Sequence, residues 1–389
     1  MKVHPGLEDG PIYLDYNATT PVDPIVVEAM LPYLSTHFGN PSSSHRYGQV
    51  AHQAVNTARQ QIAQLLECSA AEITFTGGGS ESDNLAIRGV ALARQHYGNH
   101  IITQVTEHPA VLNCCRALER LCGFRVTYLP VDEAGRVSPA SVEAAIDERT
   151  VLISIMQANN ETGTLQPIAE IAEIAHRHGV LVHTDAAQSV GKIPTRVDEL
   201  GVDLLTVAGH KLYAPKGIGA LYIRRGLQLE PIIYGGGQES ARRAGTESVA
   251  NIVALGTACV LAQEQLGESH RRLRRLRDQL QQRLEQALPL AVQLNGHASE
   301  RLPNTLNVSI EHVLGEEVLA ATPEIASSTG SACHEGSTDP SPVLTAMGLS
   351  RERALGALRL TLGRWSTEEE VERAATLLVT TLDSLVSRG

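Results

Sequence analysis

The sequence predicts an α/β protein with a mostly parallel, seven-stranded sheet and a smaller α+β domain. Between residues 72 and 224, short apolar segments rich in β-branched residues alternate with amphipathic helical segments. Nearly continuous apolar runs are typical of strands buried on both faces, and their alternation with helices is typical of parallel sheets. The predicted strands are 72–76, 100–105, 125–131, 150–158, 180–186, 203–209 and 219–224. The predicted helices between them are 81–97, 109–122, 138–148 and 167–178.

The pattern changes near residue 250, where a second domain is expected. A helical stretch covers 250–288, and the charge run at its end fits a solvated helical face better than a binding patch. An amphipathic helix at 366–387 closes the chain. A chain of 389 residues is long enough for two or three domains. We therefore predict a large domain at 19–260 and a small domain formed by 1–18 and 261–389.

The composition disfavours several classes of partner. There are 32 basic and 43 acidic residues, so the net charge is −11, and aromatic residues make up only 3%. An acidic chain with few aromatic side chains is a poor match for nucleic acid or an anionic membrane. The apolar runs are shorter than the roughly 18–20 residues of a membrane helix, and MKVHPGLEDG lacks the apolar region of a signal peptide. We expect a cytoplasmic, globular protein that binds neither nucleic acid nor membrane.

The six cysteines do not form a metal site by their spacing. No CxxC pair and no zinc-like Cys/His pattern occurs, so no metal is predicted, and the thiols are expected to be free in a reducing cytosol. Cys114, Cys115 and Cys122 lie on a helical pattern among Ala and Leu, which favours buried, inert thiols. Cys333 instead lies in a polar, glycine-containing stretch beside His334. A loop-borne thiol of this kind is a candidate nucleophile.

A glycine-rich turn predicts an anion site. The segment FTGGGSES, residues 75–82, joins a predicted strand to a predicted helix. Glycines allow backbone N–H groups to close on an anion, and the N-terminus of the following helix favours negative charge. The segment matches neither the GxGxxG nor the GxxxxGK[ST] pattern. A tight turn between a strand and a helix is the alternative interpretation.

Two further motifs place charged side chains at strand ends. HTDAAQ puts Asp185 at the carboxyl end of a buried strand, where ligands bind in parallel sheets and where a carboxylate needs a cationic partner. The alternative is a helix N-cap. AGHKLYAPKGIGALYI puts Lys211 after the next strand, as a candidate for a Schiff base with a carbonyl compound. Taken alone, Lys211 could also be an ordinary surface lysine.

These motifs together resemble those of one enzyme family. The sequence is similar to the pyridoxal-phosphate-dependent cysteine desulfurases, which belong to the class V aminotransferase group and have fold type I. The resemblance covers nearly the whole chain, so it is far more specific than any single motif. The segments that carry it, besides those above, include YLDYNATTP (13–21), FGNPSSSHRYG (38–48), TEHPAVL (106–112), MQANNETG (156–163), YGGGQESARRAGTES (234–248), RLPNTLNVS, SSTGSACHE and LRLTLGRWSTEEEVE (358–372).

The resemblance implies pyridoxal 5′-phosphate as the cofactor and assigns its contacts. Lys211 matches the lysine that binds the cofactor covalently, and Asp185 matches the carboxylate that faces the pyridine nitrogen and keeps the ring an electron sink. Gln188 matches the residue that bonds to the phenolic oxygen of the ring. His108 matches the histidine stacked on the ring and implicated in proton transfer.

The remaining assignments concern phosphate, substrate and sulfur. Asn160 matches the asparagine near the phenolic oxygen and the substrate, and Arg359 matches the arginine that holds the substrate carboxylate. Cys333 matches the thiol that takes the sulfur as a persulfide. Four residues match positions at the phosphate, the last of them reaching in from the second subunit of a homodimer: Gly79, Ser80, His210 and Thr246.

Several positions depart from the usual family pattern. Ala208 stands where many relatives have a phosphate-binding serine, and Ser240 stands where arginine is frequent. Ser80 replaces a common threonine and keeps the hydroxyl. The Cys333 loop contains ACHEG where many relatives have ACTS. This loop, the PSPVL that follows and the apolar residue at 208 are similar to features of selenocysteine lyases.

The resemblance therefore implies conversion of L-cysteine to L-alanine, with delivery of the sulfur to a protein acceptor such as an iron–sulfur scaffold. The acidic surface suits such a hand-over. Three alternatives stay open at this point. A selenocysteine lyase would release selenium and largely ignore cysteine. An aminotransferase or decarboxylase would not need Cys333, and a scaffold without the cofactor would not need Lys211 and Asp185.

Overall fold

The computed structural model describes residues 4–288, 291–330 and 339–386. The strands are β1 (Ile12–Tyr13), β2 (Ile73–Thr76), β3 (His100–Gln104), β4 (Arg125–Leu129), β5 (Thr150–Ser154), β6 (Leu181–Asp185), β7 (Leu204–Ala208), β8 (Gly219–Ile223), β9 (Val292–Leu294), β10 (Thr305–Ile310), β11 (Ile325–Ala326) and β12 (Ala357–Thr361). The helices are α1 (Pro24–Met30), α2 (Pro32–Ser35), α3 (Arg46–Leu66), α4 (Gly79–Arg94), α5 (Pro109–Cys122), α6 (Pro139–Ala145), α7 (Ile168–Arg177), α8 (Val197–Leu200), α9 (Val249–Ala287), α10 (Gly315–Ala320), α11 (Pro342–Ala346), α12 (Arg351–Leu355) and α13 (Glu368–Val386).

The central sheet confirms the predicted α/β fold. Its seven strands follow the order β2-β8-β7-β6-β5-β3-β4. Only β8 runs antiparallel to its neighbours, β2 and β7, and every other pair in this sheet is parallel. Each strand lies within its predicted segment. The prediction at 150–158 is too long because the chain leaves the sheet after Ser154 and enters the loop that carries Asn160.

The helix α3 has no counterpart among the sequence-based predictions. Its buried side chains recur at helical spacing, but many of them are alanines, such as Ala51, Ala54 and Ala58. An alanine stripe gives a weak apolar pattern in the sequence, although it lets two helices approach closely. α3 packs with α9 in the main core, where Gly256 meets Ala58.

A second core lies around a smaller antiparallel sheet with the order β12-β10-β9. Leu306 from β10 and Leu358 from β12 pack there with side chains from α9 and α13. Ile12 and Leu14 from the N-terminal segment belong to the same cluster, and Ile12 pairs with Ile325 between β1 and β11.

The helix α9 contributes to both cores. Leu255 and Cys259 lie in the main core, whereas Leu276 and Leu280 lie in the second. By length and composition alone, α9 could cross a membrane, but 56% of its most apolar stretch is buried inside the protein, as in a core helix. The predicted domain boundary between residues 260 and 261 falls inside α9, and the division into 19–260 and its complement stays a prediction.

The contact between the N-terminal segment and the end of β12 is tested by Gly363→Ala. A Cβ at Gly363 would lie 2.1 Å from ring atoms of Tyr16, whose side chain is buried. We expect the free energy of unfolding, measured by urea denaturation, to fall by about 1–3 kcal/mol. Gly10→Ala is the matched control because a Cβ there meets nothing within 4 Å. Equal stability of the two variants would show that this contact does not exist.

Candidate active site

A cavity of about 630 Å³ opens at the carboxyl ends of the parallel strands. Asp185 ends β6 and Ala208 ends β7, and both side chains line the cavity. Ligands bind at this edge in open α/β sheets. Arg359 on β12 completes the wall from the side of the second core. The cavity brings together nine sequence-predicted site residues, namely Lys211, His108, Asp185, Gln188, Asn160, Gly79, Ser80, His210 and Arg359.

A tight turn directly after β7 holds Lys211. The turn, Gly209–Lys211, is a 3₁₀ helix whose Gly209 N–H donates to Ile218 O at 3.0 Å. A Cβ at Gly209 would lie 2.8 Å from Ile218, so only glycine fits there. The Lys211 Nζ donates to the backbone oxygens of Asn17 and Ala18, the second at 2.8 Å. The turn and these two acceptors fix the amine at the cavity.

The carboxylate of Asp185 is buried against the same cavity. Its Oδ1 accepts a hydrogen bond from Ala187 N at 2.8 Å. Burial raises the pKa of Asp185, and the nearby His108 and Lys211 oppose that rise. A buried carboxylate of this kind is stabilised by a positive partner in the cavity.

Two more buried carboxyls lie close by, and the sequence analysis missed both. Asp83 lines the cavity, and its Oδ1 has no hydrogen-bond partner among the described residues, lying 3.7 Å from His183 Nε2. Burial raises the pKa of Asp83 well above its ordinary value, and the nearby Asp185 raises it further. Burial also raises the pKa of Glu107, to about 8, although Met156 N donates to it. Of the three carboxyls, Asp185 is the one whose pKa His108 and Lys211 hold down.

His108 is the N-cap of α5 as well as a lining residue. Its Nδ1 accepts a hydrogen bond from Ala110 N at 3.2 Å, which leaves the proton of the neutral ring on Nε2. Burial lowers the pKa of His108, Lys211 lowers it further, and Asp185 opposes them. The ring is therefore neutral near pH 7, and its position is fixed by the helix start.

Asn17 joins the residues that the resemblance assigns to the ring and the substrate. Its backbone oxygen accepts from Gln188 Nε2 at 3.0 Å, and its Nδ2 donates to Asn160 O at 3.2 Å. Asn160 O also accepts from Arg359 Nη1 at 3.3 Å. Sequence analysis missed Asn17, although the motif YLDYNATTP contains it.

Arg359 is buried yet keeps a donor for a ligand. Its side chain is 1% exposed, and its Nη2 binds Asp15 Oδ1 at 2.7 Å. Its Nε has no acceptor among the described residues. Asp15 binds Nη2 and Asn160 O binds Nη1, so Nε is the donor left for a substrate carboxylate.

The turn between β2 and α4 has the backbone geometry that the predicted anion site requires. Gly78 has a φ of +144°, which glycine adopts without strain, and α4 begins at Gly79. The first N–H groups of a helix lack intrahelical acceptors, and the helix dipole favours an anion there. The Ser80 hydroxyl adds a polar group. His210 is neutral because burial, aided by Lys211, lowers its pKa to about 4.

The two departures from the family pattern lie in different places. Ala208 lines the cavity, and the position of a Cβ on Gly79 would be 3.2 Å from the Ala208 side chain, so this wall is apolar and close-packed. Ser240 is exposed and has a φ of +57°. It does not line the cavity of its own chain.

Two predicted residues, Thr246 and Cys333, need separate comment. Thr246 is exposed and lies outside the lining. Cys333 lies outside the described residues. The chain on either side of it is described, and there Ser328 O accepts from Arg359 N at 2.7 Å while the Ser341 hydroxyl donates to Glu161. The described chain before Cys333 therefore contacts Arg359, and the described chain after it contacts Glu161, the neighbour of Asn160 in sequence.

The cavity fits pyridoxal 5′-phosphate by its donor set. The cofactor is an aromatic aldehyde with a basic ring nitrogen, a phenolic oxygen and a phosphate. Its aldehyde needs an amine, its ring nitrogen a carboxylate, its phenolic oxygen a neutral donor and its phosphate an anion site. Lys211, Asp185 and Gln188 supply the first three, and the start of α4 supplies the fourth. The buried Asp185, whose pKa is raised, gains its missing positive partner from a protonated ring nitrogen.

Comparison with known proteins agrees with this geometry. Residues 12–374 match the family model described as aminotransferase class-V. The chain is 50% identical, over 94% of its length and 90% of the relative, to "Cysteine desulfurase IscS" of Methanosarcina thermophila. A solved structure titled "NifS-like protein" has a TM-score of 0.90 at 37% identity, covering 96% of this chain and all of that one. Another, titled "SspA in complex with cysteine", has a TM-score of 0.81 at 41% identity, covering 91% and 99%. The chain therefore belongs to the class V aminotransferase family and, within it, to the cysteine desulfurases.

Proposed function

We propose that this chain is a cysteine desulfurase that uses pyridoxal 5′-phosphate to convert L-cysteine to L-alanine and takes the sulfur as a persulfide on Cys333. The observation that carries the proposal is the single cavity that holds an amine, a buried carboxylate and a buried arginine: Lys211, Asp185 and Arg359. The names of the relatives support cysteine, rather than selenocysteine, as the substrate.

The protein side chains divide the work of binding and proton transfer. When bound, the cofactor withdraws electrons from the substrate and makes its Cα proton removable. Arg359 binds the substrate carboxylate, with its guanidinium oriented by Asp15. Asp185 holds the ring nitrogen positive. Lys211 and the neutral His108 lie on the same cavity wall, where each can hold or move a proton.

Cys333 is assigned the transfer of sulfur from the substrate to the enzyme. Its thiolate attacks the sulfur atom of L-cysteine and forms a sulfur–sulfur bond. The carbon–sulfur bond of the substrate breaks, its electron pair stays with carbon, and a proton completes the methyl group of L-alanine. The reaction is balanced without an external oxidant, because an enzyme thiol and cysteine become an enzyme persulfide and alanine.

We also propose that the enzyme is a homodimer. Several large apolar side chains on the segment from α1 to α3 are strongly exposed in the single chain, namely Ile25, Leu31, Leu34, Phe38 and Tyr47. Exposed apolar surface of this extent supports an interface with another protein surface. A second copy would cover these side chains and would bring its exposed Thr246 to the cavity, as the resemblance implies. Closed, symmetric dimers are the commonest oligomers.

The acceptor of the sulfur is proposed to be a protein thiol, such as that of an iron–sulfur scaffold. The name IscS of the relatives supports this class of pathway. A net charge of −11 fits a soluble partner rather than nucleic acid. We propose the cytoplasm as the compartment, because a reducing compartment keeps both the enzyme thiol and the acceptor thiol free for sulfur transfer.

Asp185 and Asp83 are proposed to differ in their roles, so their isosteric variants should differ in turnover. Asp185→Asn removes the charge that holds the ring nitrogen positive, so the turnover number should fall by about 100-fold or more. Asp83→Asn replaces a carboxyl whose pKa burial raises well above its ordinary value and to which the resemblance assigns no cofactor contact, so turnover should change little. The measurement is alanine release from L-cysteine with saturating cofactor. Equal losses in the two variants would contradict the assignment of Asp185.

The role of Cys333 is tested by Cys333→Ser. This variant should bind the cofactor and L-cysteine, yet release alanine at a background rate, because it has no thiolate to attack the sulfur. Mass spectrometry should find one added sulfur atom on the peptide containing Cys333 in the wild type. Cys122→Ser is the control because the Cys122 thiol is exposed and therefore open to reaction. Full activity of Cys333→Ser, with added sulfur on Cys122 instead, would overturn the mechanism.

The dimer is tested by placing a charge in the exposed apolar segment. Phe38 is 70% exposed and stacks on Tyr47, so Phe38→Asp should weaken the interface, and sedimentation should show more monomer and less activity. Tyr97→Asp is the control, because Tyr97 is 71% exposed on a different part of the chain. A fully active wild-type monomer would contradict both the dimer and the trans role of Thr246.

A further inference from the structure

Lysine is scarce in this chain, and most of its lysines gather at the cavity. Of the 32 basic residues, 28 are arginines and only four are lysines: Lys2, Lys192, Lys211 and Lys216. Lys2 lies outside the described residues. Lys211 and Lys216 line the cavity, and Lys192 reaches its wall through Gln188. Arginine keeps its charge in any surroundings, whereas a buried lysine can lose its proton. The three lysines that the structure describes therefore lie at or next to the cavity, where an amine that can lose its proton is useful.

Lys192 is bound to the cavity wall by two hydrogen bonds. Its side chain is buried, and its Nζ donates to Gln188 Oε1 at 2.9 Å and to Asn17 Oδ1 at 3.2 Å. The other end of the same amide, Gln188 Nε2, donates to Asn17 O at 3.0 Å. Since the ammonium holds the oxygen end of Gln188, the amide presents its second N–H, rather than its oxygen, to the cavity.

The surroundings of Lys192 are cationic. Lys211 and the neutral His210 face it from the turn after β7, the cationic Arg359 faces it from β12, and His270 of α9 contacts its backbone oxygen. Within residues 4–288, 291–330 and 339–386, no carboxylate forms an ion pair with Lys192. Burial, and then the charges of Lys211 and Arg359, lower the pKa of Lys192 to about 7, so the ammonium form is present mainly at and below neutral pH. Lys192 and Lys211 both bind Asn17, so their charges oppose each other at short range.

We propose that Lys192 is a positioning residue of the active site, whose ammonium orients the Gln188 amide toward the cofactor and whose charge favours the neutral form of the Lys211 nitrogen. This inference rests on the proposed function for the roles of Gln188 and Lys211. A positive charge beside a second basic nitrogen disfavours protonation of that nitrogen. A neutral Lys211 amine is the form that attacks a carbonyl and accepts a proton.

The test is a pH titration of the colour of the holoenzyme without substrate. The visible absorbance of the bound cofactor changes when the nitrogen that joins it to Lys211 loses its proton. Removing the positive neighbour stabilises the protonated form, so the midpoint moves to higher pH. For two unit charges a few ångströms apart at a protein site, a shift of about one pH unit or more is expected.

Three variants separate the charge from the hydrogen bond. Lys192→Met removes both, Lys192→Gln keeps a donor for Gln188 but no charge, and Lys192→Arg keeps the charge. The midpoint should rise in the Met and Gln variants and stay near the wild-type value in the Arg variant. The dissociation constant of the cofactor should rise about tenfold in Lys192→Met and less in Lys192→Gln, because only the latter can still orient Gln188.

An unchanged midpoint in both neutral variants would overturn the proposal and leave Lys192 as a structural donor only. If Lys192→Met does not fold, Lys192→Gln decides alone, since it satisfies the same two oxygens. Alanine release by the wild type is measured separately. A coloured wild type that releases no alanine would refute the proposed function, whereas an unmoved midpoint with normal alanine release would refute only the role of Lys192.

Discussion

The placement of two lysines, the buried Lys192 and the half-buried Lys211, beside one asparagine is the constraint on which the site depends. An ammonium group cannot leave water without acceptors, and Asn17 supplies its backbone oxygen to Lys211 and its side-chain oxygen to Lys192. Asn17 is itself held by Thr305 of β10, at 2.9 Å, and by the Thr361 hydroxyl of β12, at 3.1 Å. The N-terminal segment therefore connects the end of the central sheet to the smaller sheet through one buried side chain.

This connection explains why residues far apart in the chain meet in one cavity. β6 and β7 deliver Asp185 and Lys211 to the carboxyl edge of the central sheet, and β12 delivers Arg359 from the other side. Asp15, two residues before Asn17, holds the Arg359 guanidinium at 2.7 Å. The same short segment thus positions the groups assigned to the cofactor and the group assigned to the substrate carboxylate.

Sequence patterns predicted the segments in which successive residues have the same kind of surroundings, such as burial on both faces of a sheet. Every strand of the central sheet except the edge strand β4 is buried on both faces, so its apolar run is visible without knowledge of its partners. The sequence analysis did not predict α3, because the buried face of this helix is rich in alanine and its packing partner α9 is distant in sequence. Motif resemblance located the side chains that line the cavity. It did not indicate Asn17, Asp83 or Lys192, because their effects depend on hydrogen bonds and charges that only the folded chain brings together.

The three buried carboxyls show how the surroundings, rather than the residue type, decide a role. Burial raises the pKa of Asp83, Glu107 and Asp185 alike. Only at Asp185 do Lys211 and His108 hold the pKa down, so it is the carboxyl suited to carry the negative charge at the cavity. If Asp83 also ionised, its charge would raise the pKa of Asp185 and weaken the electrostatic match to a protonated ring nitrogen. The rise in the pKa of Asp83 therefore favours the charged form of Asp185, and both effects arise from one shared, poorly solvated space.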